Sequence, residues 1–302
     1  MQAGISSFAS WPAAGIGSGS AALIVHFTRF VLSALAACLC TGCALVQSPA
    51  ERAHHIALSA GFVPLDLPAG SLRAYLRKTG KAEAGPEPQL TIYIEGDGAA
   101  WHAPDRPPRD PTPVNPLVIQ MAAADPSVAV AYLGRPCQYL DAAVLQRCDP
   151  ALWTRGRFSE PAVAAVNRAV DAIKAASGAR EISLAGYSGG GAMAALVAAR
   201  RRDTVCLVSI ASPLDTVAWT RAIGVSPLLT SLNPLDHATA LVDVPQTHFT
   251  GARDAVVAPV TIAAFMVPMK KARVIAKADF DHDCCWARDW RELLRHSCLH
   301  AP

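Results

Sequence analysis

Ser188 stands in the run Ala185-Gly186-Tyr187-Ser188-Gly189-Gly190-Gly191, between an apolar stretch and an alanine-rich one. The run contains Gly186-x-Ser188-x-Gly190, and its place between a strand and a helix is the setting of a nucleophile elbow. In such a turn the flanking positions must be free of bulky side chains. The serine then projects above the strand ends at a helix N-terminus, and the N–H of Gly189 points to where an oxyanion would form. A phosphate-binding loop is the competing use of a glycine-rich turn. This one lacks both the dinucleotide-binding spacing and the lysine of a P-loop. A serine hydroxyl is a poor nucleophile until a base takes its proton, so a histidine and a carboxylate must be brought to it.

The elements that would do so alternate along the chain. Leu90–Ile94 is expected to be a strand, followed by a helix over Leu117–Ala124 and a strand over Val128–Leu133. A helix over Ser159–Ser177 buries Val163, Val166, Val170 and Ile173 on one face and stops at Gly178. Then come a strand over Glu181–Ala185, a helix over Gly190–Arg202 and a buried strand over Val205–Ile210. A short strand over Thr247–Thr250, a helix over Val260–Phe265, a strand over Arg273–Ala276 and a helix over Trp286–Leu299 complete the series. Strands alternating with helices imply an α/β fold, with a mostly parallel sheet covered on both faces. The proline-rich stretches Gly85–Pro88 and Pro104–Pro116 read as loops on one domain.

The elbow in this setting resembles the α/β-hydrolase superfamily, across roughly residues 88–296. The order nucleophile, acid, histidine is the family's, and the resemblance implies a single α/β-hydrolase domain. Gly251-Ala252-Arg253-Asp254 looks like the family's acid loop, and Asp279-Phe280-Asp281-His282-Asp283 like its histidine loop. His282 is thus the expected base and Asp254 the acid that holds its tautomer. Asp215, after the preceding strand, is the alternative acid. Asp281 and Asp283 are expected to point away from the imidazole, because neighbours in an extended loop alternate sides.

Ile94-Glu95-Gly96-Asp97-Gly98-x-x-Trp101 and Gly134-Arg135-Pro136-Cys137 resemble a bacterial branch of uncharacterised hydrolases. The resemblance puts the second oxyanion donor at the N–H of Asp97, with Gly98 close by. Glu95 replaces the histidine usual there, and a carboxylate would oppose a developing oxyanion. Arg135 is the expected neutraliser, as a substrate contact or as half of a structural ion pair. His102 and Tyr187 are further candidates to line the pocket. His248 falls within a strand and reads as a core histidine.

Composition bounds the rest. The 302 residues are 52% hydrophobic and 17% charged, and the net charge of +3 gives no reason to expect nucleic acid as a partner. The cluster Arg200-Arg201-Arg202 sits where a helix should end and cations are favoured. No His/Cys cluster has metal-ligand spacing, so no metal and no organic cofactor is expected. Arg29, the apolar run Phe30–Cys40 and Thr41-Gly42-Cys43 form the pattern of an export signal and resemble a bacterial lipobox. Translation is then expected to start near Leu23 or Val25. The apolar stretch is short for a membrane span, which takes about 20 residues. On this reading residues 1–42 are leader and signal, and Cys43 carries acyl chains such as palmitate. Residues 43–302, 302 − 42 = 260 of them, form the domain of an envelope lipoprotein facing the periplasm or exterior.

There are nine cysteines, and 9 − 3 = 6 remain once Cys38, Cys40 and Cys43 are assigned to the signal and anchor. Cys137 and Cys148 flank a short loop and are expected to pair, as an oxidising compartment permits. Cys206 lies in an apolar run and reads as a buried thiol. Cys298 is not expected to reach Cys284 or Cys285 if one helix separates them, since its ends would lie about 20 Å apart.

The chemistry implied is transfer of a small molecule's acyl group to water through an acyl-enzyme on Ser188, with a carboxylic ester as the default substrate. A peptidase or amidase on the same residues is the second enzyme reading. A non-catalytic, membrane-tethered binding protein that keeps the fold is the competing class.

Overall fold

Leu90, Ile92 and Ile94 fall in one apolar cluster and Tyr93 in another, the period of two that a strand buried on both faces requires. The computed structural model describes residues 47–67, 72–79, 89–100 and 106–300. Its contacts divide the chain after Gln47, and all that follows concerns the unit Ser48–Pro302. Eight strands form one sheet: β1 (Val63–Leu65), β2 (Ala74–Lys78), β3 (Leu90–Ile94), β4 (Ala129–Leu133), β5 (Ile182–Tyr187), β6 (Thr204–Ile210), β7 (Gln246–Gly251) and β8 (Ala272–Lys277). Their order is β1-β2-β4-β3-β5-β6-β7-β8. β2 runs antiparallel to both its neighbours, β1 and β4, and the strands from β4 to β8 in this order pair in parallel.

The helices are α1 (Pro49–Ser59), α2 (Leu117–Ala124), α3 (Ala142–Leu145), α4 (Glu160–Ser177), α5 (Gly189–Ala198), α6 (Thr216–Ala222), α7 (Ala263–Met266) and α8 (Trp286–Leu294). α4 and α5 cover one face of the sheet, where Val163, Val166, Val170 and Ile173 meet Ile92, Ile94 and Leu184. α1, α2 and α8 cover the other, where Trp286 and Trp290 are wholly buried. Trp290 donates to the Tyr93 hydroxyl (2.9 Å), which donates in turn to Asp125 (2.7 Å). These bonds keep the polar tips of large buried rings satisfied.

The main series of strands and helices follows the sequence pattern, with four differences. First, α1, α3, α6, β1 and β2 were not expected. In β2 the apolar alternation is broken by Arg77, whose two terminal guanidinium nitrogens donate to the main-chain carbonyls of Ala123 and Asp125. Second, the helix after Ser188 ends at Ala198 rather than Arg202, and Arg201 turns back to ion-pair with Asp171 (2.6 Å) and Asp203 (2.8 Å). Third, Val260–Phe265 is split between a 3-10 turn (Pro259–Ile262) and α7.

Fourth, the last helix stops at Leu294, and Cys298 begins a separate 3-10 turn. That early stop corrects the reading of Cys206 as a thiol. With the helix short, Cys298 folds back onto β6 and is disulfide-bonded to Cys206, Cα to Cα 5.7 Å. Cys137 is joined to Cys148 (Cα to Cα 6.1 Å), and Cys284 to its neighbour Cys285. Cys43 and the leader lie outside the described residues. No helix among the described residues is long and apolar enough to cross a membrane.

Candidate active site

Ser188 follows β5 and caps the start of α5, with φ 52° and ψ −127°. A non-glycine residue held in this region costs on the order of 1–3 kcal/mol and persists only when its surroundings enforce it. They do so here. The Ser188 N–H donates to Ile210 O (2.8 Å), and the Gly191 N–H donates to Ser188 O (3.0 Å). A Cβ on Gly186 would come within 2.2 Å of Gly190 O, and one on Gly190 within 2.2 Å of Ile94 O. The two glycines are therefore steric requirements of the turn, and the turn is what lifts the serine above the sheet.

His282 Nε2 lies 3.1 Å from Ser188 Oγ, and His282 Nδ1 lies 2.9 Å from Asp254 Oδ2. An ionised carboxylate only accepts, so Nδ1 carries the proton and Nε2 is left to accept from the serine. The other oxygen of Asp254 accepts the N–H groups of Val256 (2.8 Å) and Val257 (2.7 Å), which fixes the carboxylate's orientation. The acid and histidine loops are also bonded to each other, Arg253 N–H to Phe280 O at 2.9 Å. Tyr187 packs its ring 5.3 Å from that of His282, centroid to centroid, and donates to His282 O (2.9 Å). Trp286 Nε1 donates to the same carbonyl (2.9 Å).

Asp215 is elsewhere. It caps α6, accepting the N–H groups of Val217 and Ala218 (3.0 Å each) and a long bond from Asn233 (3.4 Å). It has no bond to His282, which removes it as the alternative acid.

On the other side of Ser188 runs the loop after β3. A Cβ on Gly96 would touch Ser188 Cβ at 3.5 Å, so this loop passes directly over the nucleophile. The N–H groups of Asp97 and Gly189 have no acceptor among the described residues. Two unpaired donors beside a nucleophile are the makings of an oxyanion hole. Gly98 has φ +63°, and a Cβ there would come within 2.1 Å of Pro111 O.

Arg135 forms no ion pair with Glu95, although its charge favours the ionised form of that carboxyl. Glu95 is buried, and its carboxyl accepts from the hydroxyls of Tyr132 (2.8 Å) and Tyr139 (3.1 Å) and from the Gly96 N–H (2.9 Å). Burial pushes it up to about 7, against the downward pull of those donors. Arg135 instead bonds Asp97 (3.1 Å), and so does Arg157 (2.7 Å). Burial alone would raise the Asp97 carboxyl, but these two guanidiniums outweigh it and hold it below its ordinary value.

Gln138 completes the loop's support, donating to Gly96 O (2.9 Å) and accepting from the Arg135 N–H (3.0 Å). The Cys137–Cys148 disulfide pins the segment that carries Gln138 and Tyr139.

A cavity of about 420 Å³ opens over Ser188. Its walls include Val114, Leu117, Trp219 and Val256, with the 95–98 loop on one side and His282 on the other. Tyr187 lines it as expected, and His102 lies outside the described residues. Asp283 also lines it and accepts from Tyr187 Oη (3.1 Å), and neither it nor Asp281 bonds the His282 imidazole. The histidine loop is a tight turn, not an extended one. Asp281 Oδ1 accepts the N–H groups of Asp283 (2.9 Å) and Cys284 (2.7 Å), which turns Asp283 inward. Sequence reasoning did not single out Arg157, which arrives from a loop without a motif, Trp219, which lies on α6, or Val256, which follows Asp254 in the acid loop. His248 is fully buried in β7 against Ser209 (2.8 Å), and burial lowers it to about 3.

No protein-family model and no curated protein sequence matches the chain. Solved structures do match in shape. Est1E from Butyrivibrio proteoclasticus aligns at TM-score 0.54 and 14% identity, over 78% of this chain and 98% of its own. A proline iminopeptidase of Mycobacterium smegmatis aligns at 0.55 and 15%, over 78% and 95%. A membrane phospholipase A, described as a bacterial virulence factor, aligns at 0.52 and 16%, over 89% and 96%. With the sheet order, the elbow after β5 and the parallel strands that follow it, these likenesses identify the fold of this chain as that of the α/β-hydrolases.

Proposed function

We propose that the chain is a serine hydrolase that cleaves carboxylic esters through an acyl-enzyme on Ser188. The observation that carries this is the unbroken chain Ser188–His282–Asp254, at 3.1 and 2.9 Å. Ser188 Oγ attacks the acyl carbon while its proton passes to His282 Nε2. The tetrahedral oxyanion sits against the N–H groups of Gly189 and Asp97. Collapse expels the alcohol, which takes the proton back from His282, and a water repeats the cycle to free the acid. Two of the fold neighbours are named as an iminopeptidase and a phospholipase, and both names denote cleavage of an acyl bond, which supports the reaction class. The ester preference rests on the easier departure of an alkoxide than of an amide nitrogen that has not been protonated. A merely binding protein would have no need of the strained Ser188 or of its contact with the base.

The envelope location belongs to the same proposal. The segment ending in Thr41-Gly42-Cys43 would tether the domain through lipid on Cys43, next to a membrane source of esters.

Fluorophosphonate labelling together with a panel of p-nitrophenyl esters and matched anilides tests the activity. Ser188→Ala is expected to abolish labelling and to lower ester turnover by about 10⁴-fold or more with the fold intact. Unchanged turnover in the folded variant would refute the assignment, and faster anilide than ester cleavage would move it to an amidase.

A further inference from the structure

The loop over the nucleophile carries two carboxylates, Glu95 and Asp97, and negative charge there would oppose an oxyanion. Their environments differ. Glu95 is held by two uncharged tyrosine hydroxyls and a main-chain N–H, in a site 1% exposed. Asp97 has each oxygen on a different guanidinium, Oδ1 on Arg135 Nη1 (3.1 Å) and Oδ2 on Arg157 Nη1 (2.7 Å). Its carboxylate lies against the elbow itself, for a Cβ on Gly189 would come within 2.0 Å of Asp97 Oδ1.

Both arginines are buried and fixed. Arg135 Nη2 donates to Arg157 O (2.5 Å) and its guanidinium sits 5.0 Å over the Phe158 ring. Arg157 Nε donates to Thr154 O (2.7 Å). The side chains are 4% and 6% exposed. Two cations and one anion leave the cluster with one net positive charge. Arg157 also lines the cavity, and its Nη2 has no acceptor among the described residues.

The geometry points to Arg157 and Arg135 as positioning residues of the oxyanion site: they clamp Asp97 so that its N–H stays beside Ser188, and they more than offset the charge of Asp97 where the tetrahedral oxyanion develops. This rests on the serine-hydrolase reading. Hydrogen bonds to charged groups in a dry site are the strong ones. A preorganised charge costs no reorganisation when the oxyanion appears. Arg157 forms the shorter of the two bonds and alone of the pair reaches the cavity, so it is the residue to vary.

The test compares wild type with Arg157→Gln, Arg157→Lys and Ser188→Ala, each first shown to be folded by circular dichroism. It measures the rate of phosphonylation by a fluorophosphonate probe and the kcat and KM for p-nitrophenyl acetate. Arg157→Gln is expected to slow phosphonylation and lower kcat by about 10- to 100-fold, with KM within about threefold of wild type. Arg157→Lys, which keeps the charge but not the fork, should recover part of that loss. If the Gln variant does not fold, the Lys variant alone should show a reduced kcat at unchanged KM.

A full rate in either variant overturns the inference. So does a loss carried wholly by KM, which would make Arg157 a substrate contact, and so does a folded Lys variant no better than Gln. The two readings fail separately. Labelling of Ser188→Ala at the wild-type rate, or none in wild type, would sink the hydrolase assignment and this inference with it. A silent Ser188→Ala beside a fully active Arg157→Gln would sink the clamp alone.

Discussion

His282 Nε2 lies 3.1 Å from Ser188 Oγ although 94 residues of chain separate the two. Parallel strands make this contact. β5 leads into the serine, β8 leads into the histidine turn, and both finish on the same edge of the sheet. The hydrogen bond of Asp254 to the far side of the imidazole then selects which nitrogen faces the serine.

Asp254→Asn should lower kcat by about 10³-fold or more, because an amide at this place no longer enforces the Nδ1–H tautomer. Asp215→Asn should stay within a few fold of wild type, since asparagine also caps a helix. Asp215→Ala should cost about 1 kcal/mol of stability through loss of the cap. Steady-state ester kinetics and thermal melts of the three variants check this. A larger kcat loss in Asp215→Asn would move the acid to the earlier strand.

Glu95 should make the protein less stable as pH rises through its own titration. Its carboxyl is near 4.5 when unfolded and is raised by burial to about 7 when folded. Between these values the folded state holds the proton that the unfolded state has released. Stability therefore falls across pH 4.5 to 7 and levels off above it. The span corresponds to about 3 kcal/mol at the usual conversion. Glu95→Gln should remove this slope while keeping acceptors for Tyr132 and Tyr139. Urea midpoints at pH 5 and pH 7.5 measure it, and an equal slope in wild type and variant would show that Glu95 is not its source.

The Cys206–Cys298 bond closes a loop of 92 residues between β6 and the C-terminal turn. In the chain-entropy model a closure of this length is worth about 4–5 kcal/mol. Cys298→Ser should therefore lower the melting temperature by many degrees and leave kcat in the folded protein near wild type, as the bond lies at the end of the sheet away from Ser188. Peptide mapping without reductant should recover Cys206 and Cys298 joined; both thiols free in exported protein would contradict the pairing.

Processing should expose Cys43 as a lipid-bearing N-terminus, and Cys43→Ser should leave an unprocessed, unlipidated precursor. Mass spectrometry of the N-terminal peptide from membranes decides it. An intact wild-type peptide running from Arg29 through Val46 would mean an uncleaved anchor instead. A domain beginning near Gln47 should keep full esterase activity, since every group assigned to the site follows it.

The turn that carries Ser188 and the alternation of strands and helices were legible in the sequence, because each depends on local physics, while His282 was singled out by the resemblance to the α/β-hydrolases. A glycine-flanked serine between an apolar strand and an alanine-rich helix can form only a tight turn, and buried parallel strands announce themselves as short apolar runs. Asp254 was preferred to Asp215 by the resemblance alone, and the physical ground for that preference came from the structure. Both aspartates follow strands, and only the packing shows one bonded to the imidazole and the other capping a helix. The partner of Arg135 was equally hidden, because Glu95 and Asp97 lie two residues apart on a turning loop and a sequence does not record which carboxylate faces which guanidinium. Arg157 and the Cys206–Cys298 pair were the least accessible. Each joins segments distant in the chain, and such contacts follow from how the loops and the C-terminus pack on the finished sheet rather than from any preference of the residues themselves.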